Sequence, residues 1–408
     1  MNRSGRLRRT HRASRRMMPS LLFPLLAAIL AGCCRGGAPE MEPDYDRELP
    51  PGTPALELVP FGEIPDFDLP DAARRGEIVE AIGRSLNYLR KPSAKASYPV
   101  QAFTHERAIR TLEALRELLG SAEDQAALQQ AILDRFDVYR SVGWDGSGEV
   151  LYTGYYSPVF DASRTRAGPY RYPLYRRPPD LALGEGGSPM GRRLADGTVG
   201  PYPTRRQIEE GHLLEGKDLE IAWLRDPFEA YIVHVQGSAI LRLSEGGELR
   251  VGYHGKTDRS YASVAEALLR SGKITKKQRS LQGMRAHFRA HPEDLSYLFL
   301  NESYVFFTES QGGPFGSINE RVSGYVTLAL DRNLFPRGAA CFADTQVPTD
   351  ATGETLRPFR QFMLNQDTGG AIRSAGRADI YTGIGDHAEA IAGQAQQVGR
   401  LYFLLLKE

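Results

Sequence analysis

The chain has 408 residues, enough for two domains, and its 41% hydrophobic and 25% charged residues are an ordinary globular balance. A formal net charge of +1 gives a nucleic-acid partner no global electrostatic support. Three cysteines are too few for a disulfide framework or a cysteine-built zinc site, so the fold must rest on its hydrophobic cores.

The positive charge is concentrated at the front. Arg3, Arg6, Arg8, Arg9, Arg12, Arg15 and Arg16 precede every acidic residue, and an apolar run from Leu21 to Ala31 leads into Gly32-Cys33. Residues 1–33 therefore read as a signal peptide, whose apolar core of about a dozen residues falls short of the roughly 20 that a bilayer span needs. Residues 34–56 hold Pro39, Glu40, Glu42, Pro43, Pro50, Pro51 and Pro54 with few large apolar groups, the composition of a flexible tether.

Helical spacing follows. Ile78, Ile82, Leu86 and Leu89 predict one amphipathic helix, and Leu112, Leu115, Leu118, Leu119, Leu128, Ile132 and Phe136 continue the pattern over 105–136. At Trp144 the texture changes to strand. Residues 149–158 set Thr153, Gly154, Tyr155 and Tyr156 together before a proline stop. Aromatic rings beside a glycine suit a sugar, whose C–H face stacks on them, and the pattern equally fits a buried strand with tyrosine in its core. Alternation sends Tyr155 and Tyr156 to opposite faces, so at most one meets a ligand.

Strand-like runs and turn clusters from 160 to about 301, with one long polar loop at 183–199, read as a second, mostly β domain inserted into the first. Within it, residues 230–235 predict an apolar strand that runs into Gln236-Gly237-Ser238, and a helix is expected over 265–271. Gln236, Ser238, Tyr253 and Lys256 are candidates for lining a cleft. His234 alternates with Gln236 on the expected strand and His254 stands without Cys, Asp or Glu at ligand spacing, so no metal or other cofactor is expected.

The chain returns through 301–307 and a glycine-rich loop at 311–317. Asp331 follows an apolar strand and precedes a turn with Pro336 and Gly338. Asp367 opens a Thr-Gly-Gly turn, and Asp379 stands twelve residues later at the start of a strand. Each alone also fits an ordinary turn. Cys341 reads as a buried apolar side chain, and 399–406 as the closing strand.

Taken together, D-x-x-x-x-P-x-G, D-T-G-G-A-I and R-x-D-x-Y resemble the three-aspartate domain of bacterial cell-wall proteins. Joined by T-G-Y-Y-x-P, V-Q-G-S, V-G-Y-x-G and S-Y-V-F-F, they resemble the membrane-bound lytic murein transglycosylase A family, from about residue 145 to the end. The resemblance implies a mainly β fold with N-terminal helices. In it, a double-psi β-barrel of 57–159 plus 306–408 is interrupted by a second β-barrel domain of 160–305, with peptidoglycan in the groove between them.

It also implies cleavage of the MurNAc–GlcNAc β-1,4 bond of peptidoglycan glycan strands to leave a 1,6-anhydroMurNAc end. Asp379 would be the single catalytic acid and then base, with Asp367 and Asp331 as supporting acids. Thr153, Gly154, Tyr155, Tyr156, Gln236, Ser238, Tyr253 and Lys256 would bind substrate. Leu30-Ala31-Gly32-Cys33 resembles a lipobox, which implies a lipid anchor on Cys33 holding the protein to the periplasmic face of a Gram-negative outer membrane. The same likeness leaves room for cell-wall synthesis or division proteins as partners.

Two positions depart from the family pattern. Ala239 follows Val-Gln-Gly-Ser where glycine is usual, and Gly324-Tyr325-Val326-Thr327 stands in place of Arg-Ser-x-Ala; these bear on subsites rather than on the reaction.

A neutral Asp379 at working pH requires a raised pKa, which burial and a neighbouring carboxylate would supply. Arg377 would oppose this, and is expected to point elsewhere. Two other readings stay open at this point: a hydrolase with Asp379 as acid and Asp367 or Asp331 as base, and a wall-binding barrel that does not cleave.

Overall fold

A computed structural model describes residues 43–184 and 187–408. The expected signal peptide, the lipobox with Cys33 and the first part of the tether lie outside these residues. The described end of that tether does not run free. Ala55 and Leu56 are buried in the barrel core, the Tyr45 hydroxyl donates to Glu149, and Asp46 pairs with Arg377 at 2.7 Å.

After a short strand β1 (Leu56–Leu58) come three helices, α1 (Ala72–Leu89), α2 (His105–Ser121) and α3 (Gln125–Arg135). Asp71, Thr104 and Asp124 cap their N-termini by accepting from the backbone N–H of Arg74, Arg107 and Ala127. The Asp124 cap explains why the helical pattern over 105–136 is two helices: it begins a second one, and Phe136 already belongs to strand β2 (Phe136–Ser141). The apolar faces of α1 and α2 pack on Phe342, Phe362 and Leu404 of the sheet behind them. Strand β3 (Val150–Ser157) follows and carries the tyrosine cluster.

The inserted lobe contains β4 (Val159–Ser163), β5 (Tyr172–Tyr175), β6 (Leu181–Leu183), β7 (Pro189–Arg193), β8 (Val199–Gly200), α4 (Arg205–Glu209) and β9 (Glu220–Leu224). It continues with α5 (Pro227–Gln236), β10 (Ser238–Leu243), β11 (Glu248–Lys256), α6 (Val264–Arg270), α7 (Leu281–Ala290) and β12 (Val305–Glu309). Six of these strands form a sheet in the order β12-β11-β10-β4-β9-β5, and a bridge from Arg176 to Phe307 brings its two edges together. Leu174, Leu224, Phe228, Ile232, Leu241 and Phe307 fill its core. Strands β6, β7 and β8 make a small sheet through much of the stretch expected as one polar loop.

Residues 230–235, expected as a strand, are the body of α5. Asp226 accepts from the N–H groups of Phe228 and Glu229, Pro227 takes the first helical position, and Gly237 at φ 75° ends the helix. Its β-branched, apolar composition reflects burial: Phe228, Tyr231, Ile232 and Val233 face the core of the lobe.

The remaining elements are β13 (Thr327–Ala329), β14 (Ala340–Pro348), β15 (Leu356–Asp367), β16 (Arg377–Ile384), α8 (Gly385–Ala392) and β17 (Gln396–Leu406). Strand β17 pairs with β14 on one side and with both β2 and β3 on the other. The ring β17-β14-β15-β13-β16-β3 therefore closes into a six-stranded barrel, with β2 and β1 extending from it. Leu328, Met363, Ala378, Ile380, Phe403 and the buried Cys341 fill its interior. Only β3 of the ring precedes the insert, so a chain segment that begins the barrel is separated from the rest by a complete second lobe.

Candidate active site

Sheet register assembles the acidic site. Asp379 on β16 lies opposite Thr153 of β3 on one side and Ala329 of β13 on the other, and Ala329 in turn lies opposite Asp367 of β15. Four adjacent strands thus bring Thr153, Asp379 and Asp367 to one level of the barrel. The Thr153 hydroxyl donates to Asp379 Oδ1 at 2.9 Å. Asp379 Oδ2 has no hydrogen-bond partner among the described residues.

Asp367 is held differently. Its Oδ1 accepts from the backbone N–H groups of Ser317 and Thr368, both at 2.8 Å, and its Oδ2 accepts from the Tyr155 hydroxyl at 2.9 Å. The Tyr155 ring lies 5.1 Å from that of Tyr381, whose hydroxyl donates to Ser157.

These environments set the two carboxyls apart. Burial pushes Asp379 up to about 6, with a further push from the Asp367 charge and opposition from the Thr153 bond and the Arg377 guanidinium. Burial also raises Asp367, but three donors favour its charged form. The carboxyl with one donor and a bare oxygen is suited to carry a proton; the one with three donors is suited to remain an anion. Arg377 is therefore not wholly directed elsewhere. It pairs with Asp46, yet also donates to Thr153 Oγ1 at 3.3 Å, and its charge reaches Asp379.

Asp331 sits apart from this pair. It is buried, accepts from the N–H of Asn333 at 2.9 Å, and is raised by burial against the charges of Arg332 and Arg373. No hydrogen bond joins it to Asp367 or Asp379 among the described residues.

Other expected positions divide by what they touch. Gly154 faces α8 rather than a groove: a Cβ there would stand 2.8 Å from the Cα of Ala392. Tyr156 is the buried tyrosine of the pair, its hydroxyl donating to Glu389 at 2.6 Å. Gln236, at the end of α5, accepts from the Tyr156 N–H at 3.3 Å and so ties the inserted lobe to β3. Ser238 opens β10 opposite Gly252. Tyr253 is 50% exposed and feels Arg332, and Lys256 is half-buried near Arg332 and Arg373.

Residues beyond the expected set also shape the site. Ser317 contributes only its backbone N–H, which no side-chain pattern announces. Glu389 ties the lobes by accepting from Tyr156 and from Arg285 on α7 at 3.0 Å. His234 is a core residue whose Nδ1 accepts from the N–H of Val305. Among the described residues no group of His, Cys, Asp and Glu could hold a metal ion, and no helix is long and apolar enough to cross a membrane.

Known proteins resemble this chain in sequence and fold. Residues 151–308 match the MltA specific insert domain, and residues 326–405 match the 3D domain. Membrane-bound lytic murein transglycosylase A of Escherichia coli K12 is 30% identical over 296 residues, which is 71% of this chain and 74% of that protein. The crystal structure of a membrane-bound lytic murein transglycosylase from Agrobacterium tumefaciens matches with a TM-score of 0.70 and 29% identity, over 86% of this chain and 98% of that one. Escherichia coli MltA with bound chitohexaose matches with a TM-score of 0.66 and 26% identity, over 91% and 100%. The two domain matches fall on the inserted lobe and on the barrel strands that follow it, so the fold is a double-psi barrel interrupted by a second β-barrel, and the chain belongs to the membrane-bound lytic murein transglycosylase A family.

Proposed function

We infer that the protein is a peptidoglycan lyase that cleaves the MurNAc–GlcNAc β-1,4 bond without water and leaves a 1,6-anhydroMurNAc end. The observation that carries the catalytic reading is the contrast between the two carboxyls: Asp379 with one donor, a bare Oδ2 and a pKa raised to about 6, and Asp367, also raised by burial, with three donors that favour its charged form. Asp379 gives its proton to the glycosidic oxygen as the C1–O bond breaks. As carboxylate it then takes the proton of the MurNAc C6 hydroxyl while O6 bonds to C1, and it is protonated again at the end. Because the attacking hydroxyl belongs to the substrate, one carboxyl serves where most glycosidases need two. Asp367, saturated with donors, is poorly placed to activate a water, and its charge helps to keep Asp379 protonated.

The bound chitohexaose of the Escherichia coli relative supports a glycan site on this chain, with the exposed ring of Tyr253 as a stacking surface and Gln236, Ser238 and Lys256 as polar neighbours. In this reading residues 57–158 and 310–408 form the catalytic lobe and residues 159–309, from β4 through β12, the insert. The relatives are named as membrane-bound, and the Leu-Ala-Gly-Cys sequence supports a lipid anchor at Cys33 on the periplasmic face of the outer membrane. Mass spectrometry of peptidoglycan digested by the protein tests the reaction. Anhydro ends are expected; new reducing ends alone would establish hydrolysis, and neither product would leave a wall-binding barrel.

A further inference from the structure

Three cations gather near the acidic end of the barrel. Arg332 follows Asp331 in the loop after β13, the strand that separates Asp367 from Asp379 in the sheet. Arg373 lies in the loop that joins β15 to β16, between the two aspartates in sequence. Lys256 ends β11 of the insert, near enough for the charges of Arg332 and Arg373 to act on it. Its half-buried ammonium holds its proton less tightly because of burial and the charges of Arg373 and Arg332.

Some basic residues that bridge parts of the molecule have carboxylate partners, as in Arg377 with Asp46 and Arg285 with Glu389. Here no ion pair is made among the described residues; Arg373 donates only to the carbonyl of Gly370 at 2.8 Å. Asp331, beside Arg332, is buried and accepts from the N–H of Asn333, and with Glu48 near it the three cations still outnumber the two carboxyls. Like charges held together are unfavourable alone and favourable around an anion, and Arg332 and Arg373 stand exposed where a ligand can reach them.

The alternating glycan offers one anion per disaccharide. MurNAc bears a carboxylate on its O3 lactyl group, or further along the stem peptide when one is attached, and GlcNAc bears none. We propose that Lys256, Arg332 and Arg373 form the subsite for the carboxylate on the MurNAc O3 substituent, and that this contact sets the register which presents MurNAc rather than GlcNAc to Asp379. The proposal rests on the glycan-cleaving reading above.

Binding of three glycans of equal length to the full chain in detergent tests it: a neutral chitooligosaccharide, a peptide-free MurNAc–GlcNAc strand and its peptide-bearing counterpart. The native protein is expected to prefer the anionic strands, and added salt should erode that preference. An Arg332→Gln/Arg373→Gln variant, and separately Lys256→Gln, should lower the anionic-to-neutral affinity ratio by about tenfold, the worth of one charge-assisted hydrogen bond. A fall on the peptide-free strand assigns the lactyl carboxylate, and a fall only on the peptide-bearing strand assigns the stem. A ratio unchanged in variants that melt normally overturns the proposal while leaving the glycan reading intact. A native protein that binds none of the three overturns the glycan reading, and the proposal with it.

Discussion

Asp379 must hold a proton to start the reaction and release it before ring closure, so its titration defines the useful pH range. With its pKa near 6, the free enzyme loses the required acid as pH rises, and kcat/KM should fall above about pH 6. Arg377 and Thr153 both lower that pKa. Arg377→Gln and Thr153→Val should therefore move the falling limb to higher pH, and a rate–pH profile of each variant checks the sign. Asp379→Asn keeps the volume but cannot donate or recover a proton, so anhydro-end formation should drop by at least about 10²–10⁴-fold. The same substitution has a stability signature. The folded pKa lies above the ordinary 3.8, so the native protein is unpenalised below pH 4 and is destabilised as pH rises through about 6. The full effect is about 3 kcal/mol, and Asp379→Asn should flatten this part of the melting-temperature–pH curve. Both aspartates were legible in the sequence because carboxyls beside tight turns are visible as residue types. The donors that tell them apart were not, since the N–H groups of Ser317 and Thr368 carry no side-chain signature.

At the scale of elements, β3 serves two neighbours at once. Thr153 and Tyr155 point to the aspartates, while Gly154 and Tyr156 pack against α8. Gly154→Ala would drive a Cβ to 2.8 Å from Ala392 Cα, where backbone rather than a flexible side chain must yield. A loss of about 1–3 kcal/mol is expected, with glycan affinity per folded molecule unchanged. Thermal melts alongside chitooligosaccharide titration separate this from a sugar-contact role, which predicts the reverse. The strand itself was legible, and so was the division of its tyrosines between faces; the reason for its glycine was not, because α8 comes more than two hundred residues later. The apolar run before Gln236 shows a different limit. Its β-branched residues suggested a strand, while the Asp226-Pro227 start and the Gly237 stop are helix signals that decide the matter once burial accounts for the composition.

For the whole molecule, the anchor and the order of the strands make separate demands. If Cys33 carries the lipid, Cys33→Ala should leave the protein in the soluble periplasmic fraction or uncleaved; fractionation with fatty-acid labelling decides, and a cleaved Cys33→Ala protein still on the membrane would refute the anchor. The strand order makes a sharper demand. All six strands of the inserted sheet lie within residues 159–309, with their own core, whereas the barrel ring needs β3 from before the insert and β17 from the end of the chain. Strand β17 alone joins β14 to both β2 and β3, so the barrel cannot close without it. A chain stopped after residue 395 should therefore lose the barrel, the Asp379 site and all activity. Its insert should persist as a protease-resistant fragment of about residues 159–309, since its sheet is complete within those bounds and the ties at its border are few, such as the Ile240 N–H to the Pro158 carbonyl, Gln236 to β3 and Arg285 to Glu389. Limited proteolysis followed by mass spectrometry reads this directly. Complete digestion of the shortened chain would mean that the insert depends on the barrel for its fold, and that the two lobes form a single cooperative unit.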